Sequence, residues 1–243
     1  MIGQNNFKDE RRTMKTIAII TARGGSKRIP RKNIKDFLGK PIIAYSIEAA
    51  LESGVFDEVM VSTDDEEIAG IAKKYGAKVP FMRSEATSND YATTADVVKE
   101  VINEYEKLGE DFDTICCIYP TAPFLTADKL KDAMGALGSS DADSLIPVVR
   151  FGFPPQRGFV IENNIVSYKY PQYAMSRSQD LEPMYHDCGQ FYIIKKDAFL
   201  SELKMVAKKA IPFIIPETEV QDIDNDIDWE IAEVKYKLFH KEK

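Results

Sequence analysis

The stretch KTIAIITARGGSKRIPRKN, residues 15–33, decides the fold class. Its first seven residues are an apolar run rich in β-branched side chains, which predicts a buried strand at 15–21. Two adjacent glycines then begin a loop that is rich in lysine and arginine. In an open parallel sheet, ligands bind beyond the carboxyl ends of the strands. This stretch therefore predicts an α/β fold with a ligand site directly after the first strand.

After this loop, short β-branched runs alternate with helical patterns, as in a doubly wound, mostly parallel sheet. Further strands are predicted at 57–63, near 78–81, and at 113–119, 144–150, 189–195 and 211–215. Helices are predicted at about 41–53, 65–75, 93–108, 126–138, 196–204 and from about 226 onward. The last helix carries an apolar stripe, the kind of face that packs on the rest of a fold, at Ile227, Ile231, Val234 and Leu238.

The domain organisation is predicted to be a single α/β domain over residues 14–243. Residues 1–13 are polar and aperiodic, which predicts a disordered tail. From 151 to about 187 the alternation gives way to a segment rich in Pro, Tyr and Arg, which is too long for an ordinary connection. We therefore expect a small protruding excursion at 151–187 that serves an interface or the substrate.

The composition argues against several classes of protein. With 243 residues, 44% of them hydrophobic, the chain can bury a full core without disulfides or a structural metal. Cys116, Cys117 and Cys188 match neither a CxxC pair nor a zinc pattern and are interpreted as reduced core residues. The sequence has no signal-peptide pattern and no long apolar run, which favours a cytoplasmic protein without a membrane partner. A net charge of -7 argues against nucleic-acid binding.

The charges are concentrated in two regions. Residues 23–40 hold seven cations and one carboxylate, whereas residues 217–233 hold eight carboxylates and no Lys or Arg. The cations would repel one another without an anionic ligand, so the pattern favours a phosphate site facing a metal site, with two solvated faces as the alternative. Gly24 and Gly25 permit turns that aim N–H groups at phosphate oxygens. The cations suited to neutralise a triphosphate are Arg23, Lys27 and Lys32.

The loop lacks both the GxxxxGK[ST] motif and the GxGxxG motif, which argues against phosphate-loop ATPases and dinucleotide-binding enzymes. It resembles the signature of the acylneuraminate cytidylyltransferases, in which an apolar strand runs into Ala-Arg-x-Gly-Ser-Lys and then Lys-Asn. The resemblance spans the chain after Met14 and implies the nucleotide-diphospho-sugar transferase type of fold, CTP as co-substrate and Mg2+ as cofactor. The resemblance also implies that Arg23 and Lys32 have catalytic roles, in which they stabilise the charge of the phosphates. The residues implied to bind CTP here are Ala22, Arg23, Gly25, Ser26, Lys27, Lys32 and Asn33.

Two further blocks resemble the same family. In the first, Arg83 and the pair Thr93-Thr94 correspond to nucleotide-contacting residues, although either threonine alternatively caps the helix that begins there. In the second, the sequence YPTAPF at 119–124 stands where sialic acid relatives show Gln-Pro-Thr-Ser-Pro. Thr121 matches and is implied to contact the sugar. Tyr119 replaces the Gln that touches the sugar, which argues against plain sialic acid, with a core tyrosine as the alternative.

The string RSQDLEPMYHDCGQFY at 177–192 resembles the branch of the family that uses pseudaminic acid. There, Arg177 is implied to bind the sugar carboxylate, since a guanidinium holds a carboxylate with two hydrogen bonds. Gln190 and Phe191 are implied to line the sugar pocket. The family usually forms homodimers through the excursion, so we expect a homodimer.

The string QDIDNDIDW at 221–229 resembles the family's Asp-x-Asp motif, with Asp222 and Asp224 at the matching positions. Two Asp on the same side of an extended segment suit Mg2+, which takes carboxylates, phosphates and water as ligands. Asp224 is also implied to be catalytic. Helix capping by Asn225 or Asp226 is a second use of this segment and is compatible with the first.

Together these resemblances imply transfer of CMP from CTP to the anomeric hydroxyl of a nonulosonic acid, with pseudaminic acid favoured. The alternatives are enzymes that use sialic acid, legionaminic acid or the eight-carbon Kdo, and an inactive nucleotide-binding scaffold with the same fold.

Overall fold

The computed structural model describes residues 14–241, so the tail predicted at 1–13 lies outside the described residues. The strands are β1 (Thr16–Thr21), β2 (Asp36–Phe37), β3 (Lys40–Pro41), β4 (Glu58–Ser62), β5 (Thr114–Ile118), β6 (Ser144–Arg150), β7 (Phe159–Glu162), β8 (Ile165–Tyr168), β9 (Tyr185–Asp187), β10 (Phe191–Lys195) and β11 (Ala210–Ile214). The helices are α1 (Ile42–Ser53), α2 (Glu66–Lys74), α3 (Glu85–Ser88), α4 (Thr94–Lys107), α5 (Ala127–Gly138), α6 (Lys196–Glu202) and α7 (Asp226–Lys241).

Seven strands form one mixed sheet in the order β11-β6-β10-β5-β1-β4, with β9 pairing to β6. β1 pairs in parallel with β4 and β5, and β6 pairs in parallel with β11. β10 runs antiparallel to β5 and β6, and β9 runs antiparallel to β6. Five of the seven strands therefore share one direction, as the βα alternation predicts. The strand predicted near 78–81 is wrong, since that stretch makes a single bridge, from Lys78 to Met60.

The core lies on both faces of this sheet, because successive side chains of a strand point to opposite faces. Ile17 and Ile19 of β1 pack in a cluster with residues of α4 and α6. Ala18 and Ile20 pack in a second cluster with residues of α1 and α5. Each buried isoleucine stabilises the fold by about 1.5–3 kcal/mol relative to an exposed one. The three cysteines are buried and free of disulfides, which confirms their interpretation as reduced core residues.

A third cluster joins α7 to the loop after β1. Its buried members are Ile29, Phe37, Ile42, Tyr45, Phe124, Ile223, Trp229 and Ala232. The apolar stripe predicted on the final helix is not its buried face, because the four residues of the stripe are 41% to 69% exposed. That prediction is wrong. α7 instead turns Trp229 toward Phe37, with ring centroids 5.5 Å apart, because the third cluster offers aromatic partners on that side.

Residues 151–187, for which an excursion is predicted, hold only short elements. The segment contains the antiparallel pair β7 and β8, short 3-10 turns, and β9, which returns the chain to the sheet. Many of its large apolar side chains are exposed, among them Phe153, Ile161 and Met175. Within residues 14–241, no helix combines the length and the apolar character needed to cross a membrane.

Candidate active site

A cavity of about 500 Å³ opens where β1 and β5 end, as predicted for an open α/β sheet. Its walls come from the basic loop after β1, the segment that leads into α4, the residues after β5 and the acidic segment before α7. The volume lies in the range of small-molecule sites. The predicted site residues that line it are Arg23, Ser26, Lys27, Lys32, Asn33, Arg83, Thr93, Thr94, Tyr119, Thr121 and Asp224.

The cations of the basic loop have partners within the chain. The ion pairs join Arg23 and Lys27 to Asp90, Arg28 to Asp224, Arg31 to Asp65 and Glu67, Lys35 to Asp226, and Lys40 to Glu48. The premise that these cations repel one another unless an anionic ligand is present is therefore wrong. Carboxylates that are distant in sequence supply the compensating charge. Asp90 and Asp224 line the cavity beside the cations. A triphosphate in the cavity would compete with Asp90 for Arg23 and Lys27, and with Asp224 for Arg28.

Gly24 has a packing role that differs from the predicted one. Its N–H donates to Asp64 Oδ1 at 2.8 Å, so it does not point at a ligand phosphate. A Cβ at this position would lie 2.7 Å from Asp65 Oδ2, a distance that Cβ atoms do not tolerate. Gly25 has open space around its Cβ position and is not among the residues that line the cavity, so its contact with phosphate stays a prediction.

Asp65 anchors the basic loop to α2. Its carboxylate accepts the backbone N–H groups of Glu67 and Ile68, both at 3.0 Å, and so caps the helix. It also accepts two hydrogen bonds from Arg31, one of them at 2.9 Å. The bond from Arg31, followed by the helix N–H groups, lowers the pKa of Asp65 to about 2. Arg31 holds a left-handed backbone conformation, with φ of 55°, which turns the loop toward this anchor.

Lys32 joins the basic loop to the acidic segment. Its Nζ donates to the carbonyl oxygen of Ile223 at 2.7 Å, between Asp222 and Asp224. Burial lowers the pKa of Lys32, and the charges of Asp224 and Asp222 oppose that shift. The neighbouring Asn33 donates from Nδ2 to the carbonyl oxygen of Arg23 at 2.8 Å, which fixes the backbone of the loop where it enters the cavity.

The opposite wall holds a buried arginine and the start of α4. Arg83 donates from Nε to Ser62 Oγ at 3.0 Å and from Nη2 to Ser62 O at 2.6 Å, and burial lowers its pKa. Thr93 caps α4 through reciprocal bonds with Asp96. The capping alternative for this residue is therefore present in the structure, although Thr93 also lines the cavity. Thr94 Oγ1 lies 3.5 Å from the hydroxyl of Tyr119, across the cavity floor.

Asp222 and Asp224 suit a hard cation such as Mg2+ in their donor atoms and electrostatics. Burial, and next the charge of Asp224, raise the pKa of Asp222. A cation would relieve both effects. Among residues 14–241, no group of three or more His, Cys, Asp or Glu side chains is arranged to hold a metal. Two carboxylates completed by substrate phosphate and water match the usual coordination of Mg2+.

Comparison with known proteins identifies the family of the chain. The model of a family described as cytidylyltransferase matches residues 17–216. The chain belongs to the cytidylyltransferase family. It is 46% identical, over 94% of its length, to pseudaminic acid cytidylyltransferase of Campylobacter jejuni and covers 99% of that protein. It is 31% identical to CMP-N,N'-diacetyllegionaminic acid synthase of Legionella pneumophila, over 93% of this chain and 97% of that protein.

The fold of this cytidylyltransferase also matches solved structures. CMP:2-keto-3-deoxy-manno-octonic acid synthetase, solved in complex with CTP, aligns with a TM-score of 0.66 at 19% identity. The alignment covers 94% of this chain and 100% of that one. This likeness confirms the predicted fold class, a mixed, mostly parallel sheet of the nucleotidyltransferase type.

Several predicted site residues of the cytidylyltransferase lie outside the main cavity. Ala22 is buried at the end of β1, and Phe191 is buried in the core and does not line the main cavity. Gln190 is buried and donates from Nε2 to Glu219 O at 2.7 Å. Arg177 is exposed on the excursion and bonds to Asp180. Asp222 lines a second cavity of about 320 Å³, whose wall also includes His186 and Asp187.

Two positioning residues of the cytidylyltransferase are absent from the sequence-based predictions. Ile29 follows Arg28 in the sequence, and Ile223 stands between Asp222 and Asp224. Both isoleucines are buried in the third cluster. They hold the basic loop and the acidic segment against a common apolar cluster. The available signal was their place as single apolar residues within charged runs, which indicates burial at a site that is otherwise polar.

Proposed function

We propose that this cytidylyltransferase transfers CMP from CTP to the anomeric hydroxyl of a nine-carbon acidic sugar. In this reaction the sugar oxygen forms a bond to the α-phosphorus, the bond from the α-phosphorus to its bridging oxygen breaks, and pyrophosphate leaves. The observation that carries the proposal is the cavity after β1 and β5, where five cations stand opposite the acidic segment. These cations are Arg23, Lys27, Arg28, Lys32 and Arg83.

The residues of the chain act by placing charge around the triphosphate. Arg23 and Lys27 leave Asp90 for phosphate oxygens, since both reach the same carboxylate and are therefore close enough to share a second anion. Lys32 is held by the Ile223 carbonyl beside Asp224, so its charge is already oriented before the substrate binds. This preorganisation stabilises the negative charge that develops on the leaving pyrophosphate.

Mg2+ is part of the proposal, with Asp222 and Asp224 as the protein groups that hold it. When bound, the ion supplies charge neutralisation at the phosphate oxygens. Asn substitution of either residue removes a charge with little change of shape, so we expect a large fall in kcat and a rise in the Mg2+ concentration for half-maximal rate. Asp226→Asn is the matched control, because this residue is 77% exposed and pairs with Lys35. Unchanged Mg2+ dependence in Asp222→Asn and Asp224→Asn would place the metal elsewhere.

Pseudaminic acid is the acceptor that we propose. The support is the 46% identity to a pseudaminic acid cytidylyltransferase, the 177–192 string, and Tyr119 on the cavity wall. Pyrophosphate release should be measured with CTP, Mg2+ and a panel of pseudaminic, legionaminic and N-acetylneuraminic acids and Kdo. We expect the highest kcat/KM for pseudaminic acid. Equal values for N-acetylneuraminic acid would overturn the preference, and no release with any sugar would favour an inactive scaffold.

We propose a homodimer formed through the excursion, working in the cytoplasm where CTP is available. Exposed apolar residues such as Phe153, Ile161 and Met175 support an interface there. Arg177 lies outside the cavity of its own chain, so its proposed contact with the sugar carboxylate requires the excursion of a second copy. Sedimentation velocity tests this proposal, with Ile161→Asp as the variant. A wild type that is monomeric at assay concentration and active would contradict it.

A further inference from the structure

A chain of contacts runs from the cavity wall to the end of β9. Tyr119 lines the cavity, and its ring packs edge-to-face against Tyr192 of β10, with centroids 5.6 Å apart. The hydroxyl of Tyr192 donates to Asp187 Oδ2 at 2.6 Å. Asp187 is also part of the wall of the second cavity, which Asp222 lines. These contacts connect the two cavities through three side chains.

Asp187 is itself held in place by the turn that follows it. Its Oδ1 accepts the N–H of Gly189 at 2.8 Å. Gly189 has a φ of +62°, a conformation that glycine adopts without strain, and this turn carries the chain from β9 into β10. Both carboxylate oxygens of Asp187 are thereby engaged, one by the turn and one by Tyr192.

Tyr192 transmits this placement and does not exchange protons at neutral pH. It is buried, and burial, followed by the bond to Asp187, raises its pKa well above the ordinary range. Its hydroxyl therefore stays protonated and donates to Asp187. A hydrogen bond from a hydroxyl to a carboxylate is stronger than one between neutral groups, so it fixes the rotation of the Tyr192 ring.

Tyr119 has its backbone held on both sides, which leaves the direction of its ring to its neighbours. Its N–H donates to the Gln190 carbonyl at 2.8 Å, and its own carbonyl accepts from Ser46 Oγ at 2.8 Å. The ring then lies between Tyr192 and Thr94, whose Oγ1 is 3.5 Å from the Tyr119 hydroxyl. A shift of the Tyr192 ring would move the Tyr119 hydroxyl at the cavity wall.

We propose that Asp187 and Tyr192 are positioning residues that set the direction of Tyr119 and thereby the affinity for the acceptor sugar. This proposal rests on the proposed function, in which Tyr119 contacts an acidic sugar. Neither Asp187 nor Tyr192 lines the main cavity, so they reach the acceptor through Tyr119, which does line it. They act through Tyr119 and do not touch the phosphates.

The experiment compares Tyr192→Phe, Asp187→Ala and Asp187→Asn by steady-state kinetics with CTP and pseudaminic acid, each substrate varied in turn. We expect Tyr192→Phe and Asp187→Ala to raise the KM for the sugar about tenfold, as for loss of a charged hydrogen bond, with the KM for CTP unchanged. In Asp187→Asn the amide oxygen can accept the Gly189 N–H and the amide NH2 can donate to the Tyr192 hydroxyl, so the KM for the sugar should stay within about threefold of wild type.

Tyr105→Phe is the matched control. Tyr105 is also a buried tyrosine that donates to a carboxylate, Glu58 Oε1 at 3.0 Å, and it lies in the same core cluster as Tyr192 but away from the cavity. It should lower the melting temperature and leave both KM values unchanged. If Tyr192→Phe and Asp187→Ala behave like Tyr105→Phe, the positioning proposal is overturned while the proposed function stands. A wild type that releases no pyrophosphate with any sugar of the panel overturns both.

Discussion

Replacement of Asp65 by Asn tests the anchor of the basic loop. Asn caps a helix about as well as Asp, so this change removes the charge that pairs with Arg31 and retains the cap on α2. A carboxyl pKa lowered from 3.8 to about 2 corresponds to about 2.5 kcal/mol of stabilisation. The side chain of Arg31 is 39% exposed, so solvent screening reduces this amount. We expect Asp65→Asn to lower the free energy of unfolding by about 1–2 kcal/mol at pH 7.

The pH dependence of this loss has a defined sign. The folded-state pKa of Asp65 is lowered, so its contribution is present above the unfolded-state pKa and is lost as the pH falls toward the folded value of about 2. Urea unfolding of wild type and Asp65→Asn at a series of pH values from 7 to 3 gives the difference. The difference in the free energy of unfolding between the two proteins should be constant from pH 7 to about 5 and decrease below about 4.

Glu67→Gln is the control for this measurement. Glu67 bonds to the same Arg31 at 2.5 Å, but its side chain is 66% exposed. Its loss should cost less than about 0.5 kcal/mol. The reasoning is refuted if the two variants lose equal stability, or if the loss in Asp65→Asn stays the same down to pH 3.

Three further predictions concern the cavity and α7. Lys32→Met should lower kcat by about 100-fold or more, because it removes a preoriented charge, and near-normal turnover would exclude that role. Asp90→Asn should tighten CTP binding in calorimetry, since this carboxylate competes with phosphate for Arg23 and Lys27, and weaker binding would contradict the competition. Trp229→Ala should lower the free energy of unfolding in urea by about 3–5 kcal/mol, and Val234→Ser should lower it by less than about 0.5 kcal/mol. Similar losses in the two variants would mean that the wrong face of α7 has been assigned as buried.

Much of the fold follows from local sequence patterns. The apolar run at 15–21 and the later β-branched runs, apart from the one near 78–81, predict strands that the structure contains, with ends that differ by one or two residues. The basic loop is predicted at the carboxyl end of the first strand because a parallel sheet gathers its ligand loops at that edge. The motifs in this loop and at 221–229 predict residues that the structure brings to the same cavity, such as Lys32 and Asp224. These features depend on neighbours in sequence, so the sequence alone predicts them.

Other features depend on residues that are distant in the chain, and only the tertiary structure decides them. Arg23 is paired with Asp90, 67 residues away, and Lys32 bonds to Ile223, 191 residues away. α7 has two apolar stripes that both satisfy the helical period, and the buried one is the stripe with Trp229, because Phe37 lies opposite it. A periodic pattern gives the type of an element, whereas the partner of a charge or of a helix face depends on which elements pack together.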